Sequence, residues 1–360
     1  MSTTKVPLVA SRLAAACAIA ALVSCGKPQL PATDAHGVPR PTAAERLADI
    51  ARAQVWKSTD IRTMDLRAGP QGKGAVAPLA TVTCDYVARD MGGTPKFTCA
   101  LAPNDDVKIK YGADNPEVYG VVAGSRLLWA LGFGSDRWYP VSVVCHHCPA
   151  DPHRSQRPTD RDVTFDVAAL ERQLPGKTIE TRDEQGWSWP ELDLVNEAAG
   201  GAPVDQRDAL KLLAVLLQHT DNKAQQQKLI CLEGGHPEGC DSPFMYIHDL
   251  GLTFGKTSTL NTATGSGVNF EHWSKEPIWH DQKACVGNLP KSYTGTLSDP
   301  TIHEAGRRFL ADLLTQLSDA QLHDLFEVSR FPQISHASAD QWVAAFKAKR
   351  DEIVNSTCPQ

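Results

Sequence analysis

The chain lacks any polybasic block. Its 36 Lys and Arg are outnumbered by 42 Asp and Glu, for a net charge of −6, and the pI is about 6.1. Nucleic-acid binding therefore has no electrostatic support. There is no Gly-x-Ser-x-Gly element and no persuasive hydrolase triad. The full Gly-x-Gly-x-x-Gly pattern is missing too. No internal repeat is visible, nor any low-complexity tract outside one short Pro-rich stretch. The apolar run 13–23 is too short to span a bilayer as a mature helix. What the chain does have is length and apolar content. With 360 residues, 42% of them hydrophobic, it can build a large core in one two-lobed domain or two modest ones.

The N-terminus reads as a targeting segment. Lys5 and Arg12 give a positive start, and the apolar run ends in Leu22-Val23-Ser24-Cys25-Gly26. That ending resembles a bacterial lipobox. The resemblance implies a signal peptide over residues 1–24, cleavage before Cys25 and lipid on the Cys25 thiol. The lipid bilayer would then be a partner. Gly26 after the cysteine, by resemblance to Gram-negative lipoproteins, favours the periplasmic face of the outer membrane.

Cysteine usage agrees with export. Of 10 Cys, Cys17 leaves with the signal and Cys25 is lipidated. The remaining even set suits disulfides in an oxidising compartment. Proximity suggests Cys84–Cys99 across a hairpin, Cys145–Cys148, Cys231–Cys240 across a loop, and Cys285–Cys358 by elimination. Eight cysteines allow on the order of 100 connectivities, so other pairings stay open.

Residues 25–42 hold four prolines and few large apolar residues, which suits a tether. Residues 43–74 should hold an N-terminal helix and linker, the helix over 43–57 with Leu47, Ile50 and Val55 on one side. Short strands are expected over 80–87, 97–101 and 107–111. A helix over 116–131 follows, opened by Pro116. Further strands are expected over 138–145 and 163–167. After Pro190 the pattern turns helical. The long helix 205–218 delivers His219, short apolar strands over 229–232 and 244–247 follow, and helices over 303–317, 319–328 and 338–354 end the chain. Residues 256–270, rich in Thr, Ser, Asn and Gly, read as a loop.

Two stretches carry chemistry. His219-Thr220-Asp221-Asn222-Lys223 reads His-x-Asp-x-Lys, with Gln226 five places past the Asp. Tyr246-Ile247-His248-Asp249-Leu250-Gly251 reads apolar-x-Asp-Leu-Gly. In this order, at a helix end and after a strand, they resemble the catalytic loop and metal-binding turn of a protein-kinase-like fold. The continuation Leu252-Thr253-Phe254-Gly255 is similar to phosphoinositide and other atypical kinases. The resemblance implies an α+β, bilobal fold. A small β-rich N-lobe with one long helix would span residues 75–185, and a larger, mainly helical C-lobe residues 186–360.

It also implies roles. Asp221 would be the catalytic carboxylate, and Lys223 would touch the transferred phosphate. His219 would be structural. Asp249 would hold Mg²⁺, with Gln226 where these kinases carry an Asn; Gln225 and Gln227 are alternatives. Gly251 would permit the sharp turn. In the small lobe, Val107-Lys108-Ile109-Lys110 resembles the strand whose Lys meets nucleotide phosphates. Lys110 is the expected residue, with Lys108 on the same face as a rival. Glu117 on the next helix is its acidic partner, although any Glu is favoured at a helix start. Gly92, Gly93 and Lys96 fall where a phosphate-covering loop belongs; a plain hairpin turn is the other reading. ATP and Mg²⁺ are the implied cofactors, and an unknown hydroxyl compound or protein is the acceptor. A catalytically inactive pseudokinase or binding and scaffold lipoprotein is the alternative.

Two further motifs have simpler readings. Cys145-His146-His147-Cys148 could ligate metal, but no second Cys pair has suitable spacing, so a disulfide or local turn is preferred. Trp187-Ser188-Trp189 marks the passage between halves and reads as packing anchors or cleft lining.

Overall fold

Strand alternation builds the first half of the molecule. β1 (Thr81–Arg89), β2 (Lys96–Ala100), β3 (Asp106–Tyr111), β4 (Arg137–His146) and β5 (Val163–Arg172) form a closed barrel in the order β1-β2-β3-β5-β4. All its pairings are antiparallel except that of β1 with β4, which closes it from Thr81↔Ser142 to Asp85↔His146. Val107, Ile109 and Tyr111 point inward with Phe97, Tyr139, Val141, Val143 and Leu170. Phe165 stacks among them, its ring centroid 4.5 Å from that of Tyr111. The two-residue period then forces Lys108 and Lys110 to the outer face. Disulfides Cys84–Cys99 and Cys145–Cys148 tie the barrel, joining β1 to β2 and closing the turn after β4.

That outer face is covered by the second helix of the chain. Here α1 is Ala43–Arg52 and α2 is Pro116–Leu131. Asn115 caps α2 by accepting from the Glu117 amide, and Gly132 ends it in the left-handed region. α2 is buried nearly all round, Glu117 and Arg126 included, as expected of a helix without a polar face. It packs on β4 and β5 on one side and on the second half of the chain on the other.

In the computed structural model the described residues are 29–34, 37–232, 239–256 and 267–360. Cys17, Cys25 and most of the 256–270 loop lie outside them. The fold is α+β. After the barrel come β6 (Lys177–Thr178), α3 (Trp189–Leu192), α4 (Val204–Leu217), β7 (Gln227–Cys231) and β8 (Pro243–Ile247). Next are β9 (Gly255–Lys256), β10 (Gly267–Val268), α5 (Phe270–Trp273), β11 (Trp279–Asp281) and β12 (Val286–Gly287). Four helices finish the chain: α6 (Glu304–Leu314), α7 (Asp319–Val328), α8 (Phe331–Ser335) and α9 (Ala339–Asn355).

α4 runs through the centre of this half, with Leu212, Leu213, Val215, Leu216 and Leu217 all fully buried. An aromatic cluster of Phe254, Trp273, Phe326, Phe331 and Trp342 locks α5, α7, α8 and α9 together. Cys231–Cys240 closes the loop between β7 and β8, and Cys285–Cys358 pins the C-terminus. Trp187 and Trp189 are buried, edge to face at 5.1 Å. They are packing anchors.

One element is shorter than expected. α1 stops at Arg52 rather than continuing to residue 57. Gln54 instead pairs alongside β8, donating to the Pro243 carbonyl and accepting from the Met245 amide. The apolar residues at 53 and 55 are buried by that extended pairing, so tertiary structure overrides the helical periodicity.

Candidate functional site

Lys110 is the centre of the site. It leaves the outer face of β3 and is only 1% exposed. Its Nζ lies 2.5 Å from Glu117 Oε2 and 2.9 and 3.1 Å from the two carboxylate oxygens of Asp249. It also sits 5.3 Å from the centre of the Trp138 ring. Three segments thus meet: a strand, the first turn of the helix that follows it, and the far-off turn after β8. Burial alone would lower the lysine's pKa, but Asp249 and Glu117 overcome it and raise the group above the ordinary lysine value. Burial pushes Asp249 up, yet Lys110, with help from His248 and Lys96, holds its carboxyl far below the usual range. Lys110 and Asp249 are both charged at neutral pH.

The neighbouring cations divide cleanly. Lys108 turns to Glu171 at 3.0 Å, leaving Lys110 alone on Glu117. Lys96 is the cross-strand partner of Lys110 and contributes to the field at Asp249. The β1–β2 loop carries Gly92 at φ +130°, a left-handed conformation, and a Cβ there would lie 2.6 Å from Lys96 Nζ. Gly93 faces open space.

The turn bearing Asp249 is shaped by glycines on two elements. Gly251 donates its amide to Asp249 Oδ1 at 2.9 Å. Its backbone does not use positive φ, so the expectation that it supplies a special turn conformation is corrected. It lacks a Cβ for space, because one would lie 2.7 Å from Glu117 Cγ. Gly120 and Gly124 of α2 do the same from the other side. A Cβ at Gly120 would meet the Gly251 carbonyl at 2.6 Å, and one at Gly124 would meet Leu250 Cβ at 3.0 Å. The sequence reading missed both. The available signal was two Gly one helical turn apart in an otherwise large-residue helix.

Asp221 sits on the loop after α4. Gln218 ends that helix in the left-handed region, and the His219 amide still bonds back to Ala214. Asn222 clamps the loop. It donates to the carbonyls of His219 and Leu297 and accepts from the amides of Thr296 and Leu297. Its side chain is thereby fully satisfied. Asp221 Oδ2 accepts from Lys223 Nζ at 3.2 Å and from Gln226 Nε2 at 2.5 Å. Its Oδ1 is buried and accepts no hydrogen bond, although Lys223 Nζ is 3.2 Å away. Gln226 is the one of the three candidate glutamines that bonds Asp221 among the described residues. Its backbone carbonyl accepts from the amides of His248 and Asp249, which joins the two loops directly.

His219 is fully buried, and neither ring nitrogen has a hydrogen-bond partner. Burial lowers its pKa to about 4, against the pull of the Asp221 and Asp249 carboxylates. It is a neutral ring at pH 7.

A cavity of about 750 Å³ opens beside this site on the outer face of β2, β3 and β5. Thr98, Lys108, Glu171, Arg172 and Gln173 line it. It does not include Lys110, Asp221 or Asp249, and its lining residues all fall within 73–175.

No family model and no curated protein matches the chain. Among solved structures, it is similar to the crystal structure of a Helicobacter pylori proinflammatory kinase, CtkA, at 11% identity and a TM-score of 0.40. That match covers 78% of this chain and 95% of the other. A likeness so remote leaves the site to be read from its own geometry.

Proposed function

We propose that this chain is a lipid-anchored, kinase-like phosphotransferase of bilobal layout. It would bind ATP with Mg²⁺ between the barrel and the helical half and pass phosphate to a hydroxyl acceptor. The observation that carries this reading is Lys110, buried and held between Glu117 and Asp249. A cation fixed so firmly beside a second, loop-borne carboxylate is the arrangement phosphoryl transfer requires.

The residues present fit a hard cation, since Asp249 and Gln226 both offer oxygens and their loops are joined through the Gln226 carbonyl. Asp249 would hold Mg²⁺, with the Gln226 side-chain oxygen as a further ligand. When bound, the ion would offset negative charge on the phosphoryl group. Lys110 binds phosphate oxygens, and Lys96 with the Gly92–Gly93 backbone covers them. Asp221 orients the acceptor hydroxyl and takes its proton. Lys223, 3.2 Å from that carboxylate, steadies the transferred group. Acylation of Cys25 would hold the domain at the periplasmic face of the outer membrane. The four disulfides suit that oxidising compartment.

The alternative, a pseudokinase or binding module, draws on one observation: the Gln226 amide nitrogen is turned onto Asp221. The two are separated by Mg²⁺-ATP. An active kinase shows a raised melting temperature and radiolabel transfer that Asp221→Ala abolishes. A binding module shows the thermal shift alone. No shift and no transfer would end both readings.

A further inference from the structure

Behind the Asp249 turn lies a second polar cluster that the phosphotransfer reading does not use. Asp136, in the turn before β4, is fully buried. Glu171, at the end of β5, is 4% exposed. His248 directly precedes Asp249. One ligand atom from each lies within 4.8 Å of the other two. His248 Nδ1 bonds Asp136 Oδ2 closely and lies 3.8 Å from Glu171 Oε1.

The orientation of the carboxylates is informative. Asp136 Oδ1 accepts from the Tyr246 hydroxyl at 2.9 Å and from the Leu174 amide at 2.7 Å. Glu171 Oε2 is held by Lys108 at 3.0 Å. Each carboxylate therefore has one oxygen tied by outside donors and the other turned toward the imidazole. Glu171 Oε1 is buried and accepts no hydrogen bond at all. An unpaired carboxylate oxygen in a buried site is costly unless something cationic meets it. Tied outer oxygens are also what metal-ligating carboxylates use to fix their inner ones.

We propose that Asp136, Glu171 and His248 form a site for a divalent transition cation such as Zn²⁺ or Mn²⁺, separate from the phosphate-binding site. One imidazole nitrogen and two carboxylate oxygens are a borderline donor set, suited to those ions more than to Mg²⁺ or Ca²⁺. A cation about 2.0–2.2 Å from each donor needs the donors roughly 3–3.5 Å apart. The cluster reaches this by a small opening at His248–Asp136 and a small closing at His248–Glu171. Glu171 and Lys108 also line the open cavity, which supplies an entry path. The ion would pin the end of β5, the α2–β4 turn and the residue before Asp249 to one another.

The test needs no nucleotide. The full chain, purified in detergent and stripped with chelator, is titrated with Zn²⁺ and, as a spectroscopic probe, Co²⁺. The expected result is one tightly held equivalent per chain, with a visible Co²⁺ absorption band of mixed nitrogen and oxygen ligation. The isosteric variant Glu171→Gln and, separately, His248→Gln should each weaken uptake at least tenfold. Absence of stoichiometric uptake by the wild-type chain overturns the site, as does equal uptake by both variants. Either result is independent of whether Mg²⁺-ATP shifts the melting temperature.

Discussion

The two acidic loops of the site, one at Asp249 and one at Asp221, are finished to different degrees. Asp249 is the more fully paired. Both its oxygens meet Lys110, and Gly251 caps one of them. Asp221 is less so, because one oxygen is tied while Oδ1 is buried without a hydrogen bond. Below it His219 has both ring nitrogens bare. The difference separates two tasks. The Lys110–Glu117–Asp249 triad ties β3, α2 and the turn after β8 to one another. The Asp221 loop keeps unspent bonding capacity, which the proposed contact with an acceptor would use.

If that contrast is right, removing the lysine is the most damaging single change. Lys110→Met leaves Glu117 and Asp249 buried and facing each other without a cation. Stripping one partner from a buried ionic cluster costs about 3–5 kcal/mol, so the denaturant midpoint should fall steeply. Asp221→Ala, by contrast, loses only one tied carboxylate oxygen and should cost less than about 1.5 kcal/mol. Equal losses in the two variants would erase the distinction between the two carboxylates.

Next in size is an acid effect belonging to His219. Its folded pKa, about 4, lies below the ordinary value of 6.5. The unfolded chain therefore takes up the proton first as pH falls, and stability present above pH 6.5 is lost progressively toward pH 4. The loss amounts to about 3 kcal/mol. Asp249, whose carboxyl is also depressed, acts only below the ordinary aspartate range, so the two windows separate. Urea melts from pH 7 to pH 4 should show a slope that His219→Leu flattens. An unchanged slope would mean that the ring is hydrated or paired in solution.

Much of the frame was legible in the sequence. The helix over 116–131 was opened by Pro116, a strong local signal, and it has those bounds in the structure. Strand alternation put Lys108 and Lys110 on one face but could not choose between them. Only depth decides: Lys110 reaches α2, while Lys108 stops at Glu171. Glu117 read weakly because any first-turn glutamate looks alike. The cluster of Asp136, Glu171 and His248 was invisible, since Asp136 and His248 stand 112 residues apart and no local pattern links them. The extended segment after α1 was misread because Gln54 takes its conformation from β8, a partner nearly two hundred residues away.

The smallest effect comes from the groove that seats the Asp249 turn. Gly120→Ala places a methyl 2.6 Å from the Gly251 carbonyl. That contact is with backbone, so a rotamer change cannot relieve it. Either the turn or α2 must shift by several tenths of an ångström, at about 1–3 kcal/mol. Because Gly251 in turn abuts Glu117, the displacement falls on the ion triad and spares the Asn222-clamped loop of Asp221. Hydrogen exchange should therefore speed up at the amides of 249–253 and stay constant at 219–223. If both segments loosen together, the bond from the Gln226 carbonyl to the His248 and Asp249 amides couples them. The two carboxylates would then answer to one mechanical unit rather than two.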